Sequence, residues 1–381
     1  MNSLRSRVAV VLILIATASR FGFAADAEGF VPLFNGKDLG GWVPVNVAPG
    51  TFTVKDGLIV STGKPTGVMR TDRMYENFIL EIEWRHMVKG GNAGLFIWSD
   101  AITAPGVPFS RAIEVQILDG RESETYTSDG DVFSIHGVRL KPDRPHPKGA
   151  ERCLPSEKRS KPSPEWNHYR VECRDGDLKL AVNGKVVSGG SMCRPRKGYI
   201  CLESEGSECH FRNIKIKELP SSNPPADEVA TSDQGFRSIY TGLDLSGWLA
   251  DSIAIEHWYS EDWRLTCDGK GKKEAIMTAL PYGDFELICD CRWSSKSEKQ
   301  KLPIWLSSAD LDITVEKVAP QWNRFHIRRQ GNRMNVKLNG QVVVDNHQLV
   351  GVPAWVGIGL RHDGEPIQFA NIYIRELDAK P

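Results

Sequence analysis

The sequence has no charge of one sign to spare: 48 Lys and Arg residues are balanced by 48 Asp and Glu residues, a formal net charge of zero. A chain without an overall field does not gather nucleic acid or anionic membrane, which disfavours both as partners. Long apolar runs are also missing. The run from Val8 to Ala18 falls well short of the roughly twenty residues that span a bilayer, and no later segment reads as transmembrane. Beyond that run almost no stretch keeps a 3.6-residue period, which argues against a helical fold. The eight cysteines show no zinc-knuckle spacing.

What the N-terminus does contain is a charged start, Arg5 and Arg7, then the apolar run, then small residues around Ala24, Ala25 and Ala27. This order reads as an export signal over residues 1–25, with a membrane anchor as the rival reading, so the mature chain is expected in the periplasm or outside the cell. An exported chain can oxidise its thiols. Cys201 and Cys209 flank a turn at Glu205-Gly206 and could pair across a hairpin. Cys289 and Cys291, two apart in a strand pattern, share a face, beside Cys267 in one arrangement. Buried free thiols are the alternative throughout.

At 381 residues the chain is too long for one compact core. An internal repeat divides it. Gly36, Asp38, Leu39, Gly41 and Trp42 return in order as Gly242, Asp244, Leu245, Gly247 and Trp248. Trp166-Asn167 through Asn183-Gly184 returns as Trp322-Asn323 through Asn339-Gly340, and Phe211, Asn213 and Ile214 as Phe369, Asn371 and Ile372. The Pro- and Ser-rich stretch after Leu219 reads as a linker over 221–232, between copies at 26–220 and 233–381. Within each copy apolar residues alternate, as in Ile113-Glu-Val-Gln-Ile-Leu118, and Asn183-Gly184 and Asn339-Gly340 mark tight hairpins. The pattern predicts an all-β protein of two β-sandwiches in tandem, with jelly-roll connections.

The copies differ most between Arg85 and Trp166, where the first is about fifty residues longer than the matched stretch of the second, and long insertions are usually functional or disordered. Chemistry is therefore expected in the first copy. The insertion opens on Lys89-Gly-Gly-Asn-Ala-Gly-Leu-Phe-Ile-Trp98, where Asn92 offers both a donor and an acceptor and Trp98, on the face of Gly94 and Phe96 by alternation, could stack on a sugar ring or pack in the core. On the next strand Glu114 and Gln116 share a face opposite Ile113, Val115 and Ile117. Lectin-like glycan hydrolases often set two carboxylates on one such strand, but here the second is an amide, which argues against double displacement. His136 is the best-placed imidazole for proton transfer. Arg159 or Lys161, in the basic loop, could polarise a substrate oxygen. Trp166 and Asn167 recur and read as architecture, whereas His168, replaced by Arg324 in the second copy, is more open to function.

Taken together, Leu33-Phe-Asn-Gly-Lys-Asp-Leu-Gly-Gly-Trp42, Gly91-Asn-Ala-Gly-Leu-Phe96, Glu114-Val-Gln-Ile-Leu-Asp119 and Lys161-Pro-Ser-Pro-Glu-Trp-Asn167 resemble the 3-keto-disaccharide hydrolase family across most of the first copy and, more weakly, both ends of the second. The resemblance implies concanavalin A-like sandwiches and action on glycosides already oxidised at C3, as 3-keto-glucoside 1,2-lyase and 3-keto-2-hydroxy-glucal hydratase. A C3 ketone acidifies the C2 proton, so one base can drive elimination of the C1 substituent before water adds. On that implication Glu114 or His136 is the base, and Gln116, Arg159 or Lys161 stabilises the enolate. Asn92, Trp98, Asp119 and His168 complete the substrate contacts. Trp98 departs from the family, whose members commonly carry Arg there. A divalent metal could serve, although no ligand spacing selects one. The competing readings are a non-catalytic carbohydrate-binding protein and an interaction domain of the cell envelope.

Overall fold

The computed structural model describes residues 26–119, 129–147, 149, 151–271, 276–309 and 311–377. The expected export signal, residues 1–25, lies outside them. Among the described residues the secondary structure is β-strand apart from two short 3-10 turns, Ala226–Glu228 and Ala254–Glu256. The chain forms two sandwiches. In the first, a nine-stranded sheet packs against a seven-stranded one, and in the second an eight-stranded sheet packs against a four-stranded one, all pairings of named strands being antiparallel. Strands far apart in sequence sit side by side. Phe78–His86 lies between Asn167–Arg174 and Cys209–Glu218 in the first large sheet, and Phe285–Trp293 lies between Asn323–Gln330 and Ile367–Glu376 in the second.

The repeated residues make the same bonds in both sandwiches. The Trp42 indole donates to the Leu33 carbonyl at 2.8 Å and the Trp248 indole to the Ile239 carbonyl at 2.9 Å. Asn167 Oδ1 accepts from the Lys161 amide and from Asn183 Nδ2; Asn323 Oδ1 accepts from the Ala319 amide and from Asn339 Nδ2. Asn183 and Asn339 sit at φ 46° and 49°, each followed by a glycine with positive φ, the backbone that a tight hairpin demands and that Asn-Gly adopts at little cost. Each copy encloses its own apolar core between its sheets, and burial at about 25 cal/mol per Å2 of apolar surface drives both.

Residues 221–232, expected to be an exposed linker, are mostly exposed and run along the first sandwich, held by several bonds. The Ser222 amide donates to Glu76 at 2.8 Å, Glu228 pairs with Arg196 at 2.5 Å, and the Thr231 amide donates to Asp100 at 2.7 Å. A second junction ties the copies together. The 100–110 loop of the first sandwich lies on the outer face of the second copy's large sheet, where the Gly106 amide donates to Asp290 at 2.8 Å and Arg324 donates to the Thr103 carbonyl at 3.0 Å. Asn371 donates to the carbonyls of Ala104 and Val107, and the Thr103 and Tyr373 hydroxyls meet at 2.8 Å. Asp290 is fully buried and paired with Arg324 at 2.7 Å. A buried charge of this kind holds only while its partners are in place.

All eight thiols are buried and free. The expected Cys201–Cys209 pairing does not form, because Cys209 points into the core between the sheets whereas Cys201 belongs to an apolar cluster on the outer face of the small sheet. Cys289 and Cys291 do share a face, in the core that also holds Cys267.

Candidate functional site

The seven-stranded sheet of the first copy places Ala112–Leu118, Asn92–Ser99 and Tyr199–Ser204 side by side. Alternation sends Ile113, Val115 and Ile117 into the core, and Glu114 and Gln116 to the outer face. That face is not open there: Glu114 is 7% exposed and Gln116 2%. The register sets Gln116 opposite Gly94 and Glu114 opposite Phe96, while Leu202 faces Leu95 on the other side. Glu203, the next residue after Leu202, therefore comes alongside Gly94.

Gly94 makes room for this. A Cβ at that position would stand 2.8 Å from Glu203 Oε2 and 2.9 Å from Glu114 Oε1, so the two carboxyls lie within about 6 Å of each other across the bare glycine. Glu203 is 1% exposed, and its Oε2 accepts no hydrogen bond among the described residues. Burial, and then the neighbouring Glu205 charge, push Glu114 up to about 8, against the opposing pull of Arg152. Burial, and then Glu114, push Glu203 well above the ordinary carboxylate range. Two carboxyls this close in a dry site do not ionise together, so the pair keeps at least one proton near neutral pH.

Around the pair the polar groups are chained. Gln116 Nε2 donates to Asn92 Oδ1 at 2.5 Å, Asn92 Nδ2 donates to Glu205, and the Tyr169 hydroxyl fixes the Gln116 carbonyl at 2.8 Å. Asn92 and Glu205 are half-buried and form the edge of the site nearest solvent. On the other side Arg152 stacks on Phe133, its guanidinium 3.5 Å from the ring centroid, and pairs with the buried Asp131 at 2.8 Å. Phe133 is the cross-strand partner of Glu114, which brings this cation to the carboxyl pair. Among the described residues no three His, Cys, Asp or Glu side chains are grouped as metal ligands.

Of the residues expected at the site, Glu114, Gln116 and Asn92 come together. The others are placed elsewhere. Trp98 is fully buried in the core between the sheets, its indole donating to the Glu76 carbonyl at 2.9 Å, instead of lining a cleft. A bulge opposite Tyr199 and Cys201, with Trp98 at φ 54°, breaks the alternation that put it with Gly94 and Phe96. Asp119 accepts from the Gly90 and Ser163 amides, both at 2.7 Å, so its two oxygens tie loops together. Arg159 donates to the Val182 and Asn183 carbonyls and serves the 182–185 hairpin. Lys161 is exposed, with its backbone held by Asn167. His168 lies on the other sheet, on its outer face, 3.8 Å from Glu81. His136 is exposed at the end of Val132–Ile135, its ring stacked on Phe109 at 6.4 Å.

The residues that sequence reasoning missed are Glu203, Glu205 and Arg152. Arg152 was one of many basic residues in its loop. Glu203 and Glu205 left one signal: they alternate with Leu202 and Ser204, the pattern that marked Glu114 and Gln116.

The protein is thus a tandem β-sandwich with a buried carboxyl pair, amides and one guanidinium on the outer face of one sheet. The chain belongs to the 3-keto-alpha-glucoside-1,2-lyase-like domain family, whose pattern it matches over residues 29–217 and 301–375. It is 22% identical over 238 residues to the 3-keto-disaccharide hydrolase of Bacteroides thetaiotaomicron, covering 51% of this chain and 80% of that one. Among solved structures it is similar to a candidate glycosyl hydrolase from Parabacteroides distasonis, with 24% identity, a TM-score of 0.40, and coverage of 51% of this chain and 95% of that one. It is also similar to the carbohydrate-binding module CBM66 from Bacillus subtilis, with 12% identity, a TM-score of 0.33, and coverage of 47% and 96%.

Proposed function

We propose that the protein is exported and cleaves 3-keto-glycosides by 1,2-elimination followed by hydration, with Glu114 and Glu203 as the proton-transfer pair. The observation that carries this is the pair itself, two buried carboxyls flanking Gly94. An ionised member takes the C2 proton that the C3 ketone has made acidic. As the C2–H bond breaks, its electrons form the C1=C2 double bond, the C1–O bond breaks, and the protonated member gives its proton to the leaving oxygen. Water then adds at C1 and a proton at C2, with the two carboxyls in reversed roles. On this reading Arg152 and the Gln116 amide receive the negative charge that develops on the C3 oxygen, and their nearness to the carboxyl pair supports it. No glycosyl-enzyme bond forms, so the pair need not sit on one strand in the manner of a double-displacement enzyme.

The test is turnover of a 3-keto-glucoside in D2O. Elimination and hydration place deuterium at C2 of the product, whereas direct displacement at C1 leaves C2 protonated. Turnover without C2 deuterium, or sugar binding without any product, overturns the proposal, the latter in favour of a binding protein. Export is checked by sequencing the N-terminus of the mature protein, with cleavage expected near Ala25.

A further inference from the structure

The second sandwich lacks the acid pair, but it does not lack the place for it. An open depression of about 110 Å3 lies against its four-stranded sheet, and Trp293, Lys301, Pro303, Asp312, Arg361 and Asp363 are among the residues lining it. Strand register identifies these residues. Leu360 pairs with Ile304 as Leu202 pairs with Leu95, and Lys301 pairs with Thr314 as Asn92 pairs with Leu118. Counting along each strand, Arg361 occupies the position of Glu203, Asp363 that of Glu205, Pro303 that of Gly94, Lys301 that of Asn92 and Asp312 that of Gln116. Trp293 occupies the position of His86 by the match of Phe285–Trp293 to Phe78–His86. Five of these residues thus stand at positions of the first copy's site, while Trp293, like His86, comes from the large sheet beside it.

The substitutions decide what it can do. The Glu203 carboxyl has become a guanidinium, held by the Leu302 and Leu311 carbonyls, and Pro303 fills the slot that Gly94 leaves open, so the proton-transfer pair cannot form. What remains is suited to holding a ligand without reacting with it. Lys301 and Asp312 pair at 2.6 Å on the rim, with Asp312 largely exposed, and present a donor and an acceptor side by side. The ring of Trp293 and the face of Pro303 supply apolar surface. Two cations and two carboxylates among these residues cancel, which selects against a charged ligand. A space this small takes one ring of a larger molecule.

We infer that the second sandwich is a non-catalytic binding site for an uncharged pyranose unit of a glucosyl saccharide, built from the same sheet position as the reactive site of the first. The inference rests on reading the first site as a saccharide site. Donors, acceptors and an apolar wall in one depression match the hydroxyl edge and C–H face of such a ring. The ligand needs no C3 ketone, because with Arg361 at the Glu203 position the pair that would remove a C2 proton cannot form.

The experiment titrates the full chain with trehalose, an unoxidised glucosyl disaccharide, and follows binding by ligand-observed NMR and calorimetry. Asp312→Ala and Lys301→Ala remove exposed or half-buried side chains and leave the core alone. Each is expected to weaken trehalose binding at least about tenfold, the effect of losing a hydrogen bond to a charged group. Glu203→Gln in the first site is expected to leave that binding in place. No binding by the wild type, binding unmoved by both second-domain variants, binding abolished only by Glu203→Gln, or binding of glucuronate in preference to trehalose overturns the inference. Turnover of a 3-keto-glucoside is measured on the same preparations. Wild-type turnover without trehalose binding sinks this inference alone, whereas binding without turnover sinks the reaction proposed for the first site and leaves the second site standing.

Discussion

In the first sandwich the outer face of the large sheet is a solvated set of ion pairs, Glu81 with Arg170 at 2.6 Å and Glu83 with Arg212 at 2.7 Å, each half-exposed. In the second the same face holds Ile288 and Asp290 at the positions of Glu81 and Glu83, and it is covered by the 100–110 loop of the first copy. The small sheets diverge in the opposite sense. The first copy's carries a buried acid pair, and the second's carries Arg361 and Pro303 at the matching places. One frame has thus been used twice, with a buried acid pair on the small sheet of one copy and a docking surface on the large sheet of the other. Shared residues report the frame, and the roles lie where the copies differ.

The largest effect that sharpens this contrast is on turnover. Glu203→Gln is expected to lower kcat on a 3-keto-glucoside by at least about a thousandfold, near the upper part of the range for general acid–base groups, while Arg361→Gln at the matching place leaves it within about twofold. Equal losses from both would mean that the copies share one reactive site.

Next comes the docking face. Asp290→Ala strands the Arg324 guanidinium and frees the Gly106 amide, and is expected to cost about 3–5 kcal/mol in denaturant unfolding. Glu83→Ala, at the matching position of the first copy, breaks a screened pair and is expected to cost at most about 1 kcal/mol. Similar costs would remove the distinction between a docked and a solvated face.

A third difference appears with pH. The folded protein holds a proton on Glu114 that the unfolded chain releases near the ordinary glutamate value, so this group lowers stability as pH rises from about 4.5 to about 8. Glu114→Gln removes that slope. Relative to wild type its stability is expected to grow from about pH 5 and to level off above about pH 8, by an amount on the order of a few kcal/mol. A constant difference across that range would show that Glu114 ionises normally. The smallest effect is expected from Trp98→Phe, about 1–2 kcal/mol of stability from the lost indole bond and volume, with KM unchanged. A raised KM would return Trp98 to the substrate site.

The duplication, the all-β architecture, both Asn-Gly hairpins and the shared outer face of Glu114 and Gln116 were legible in the sequence. Each depends on the chain's own neighbours: a period of two, a residue type that accepts positive φ, an Asn that bonds nearby backbone. Local rules failed where a local exception intervened. One bulge turned Trp98 from the expected cleft into the core. His168 was singled out because it differs between the copies, but a difference between copies does not say which sheet a strand joins.

Comparing the two copies along the chain pointed to the first for the proposed chemistry and picked out Glu114, one of the two carboxyls that meet there. Only the tertiary structure decided the partner. Glu203 lies 89 positions from Glu114 and reaches it because Tyr199–Ser204 and Ala112–Leu118 flank the same central strand, in a register that leaves a glycine between the two side chains. Strand neighbours are chosen by burial of whole faces across the sandwich, and that choice leaves no trace in the residues adjacent to either glutamate.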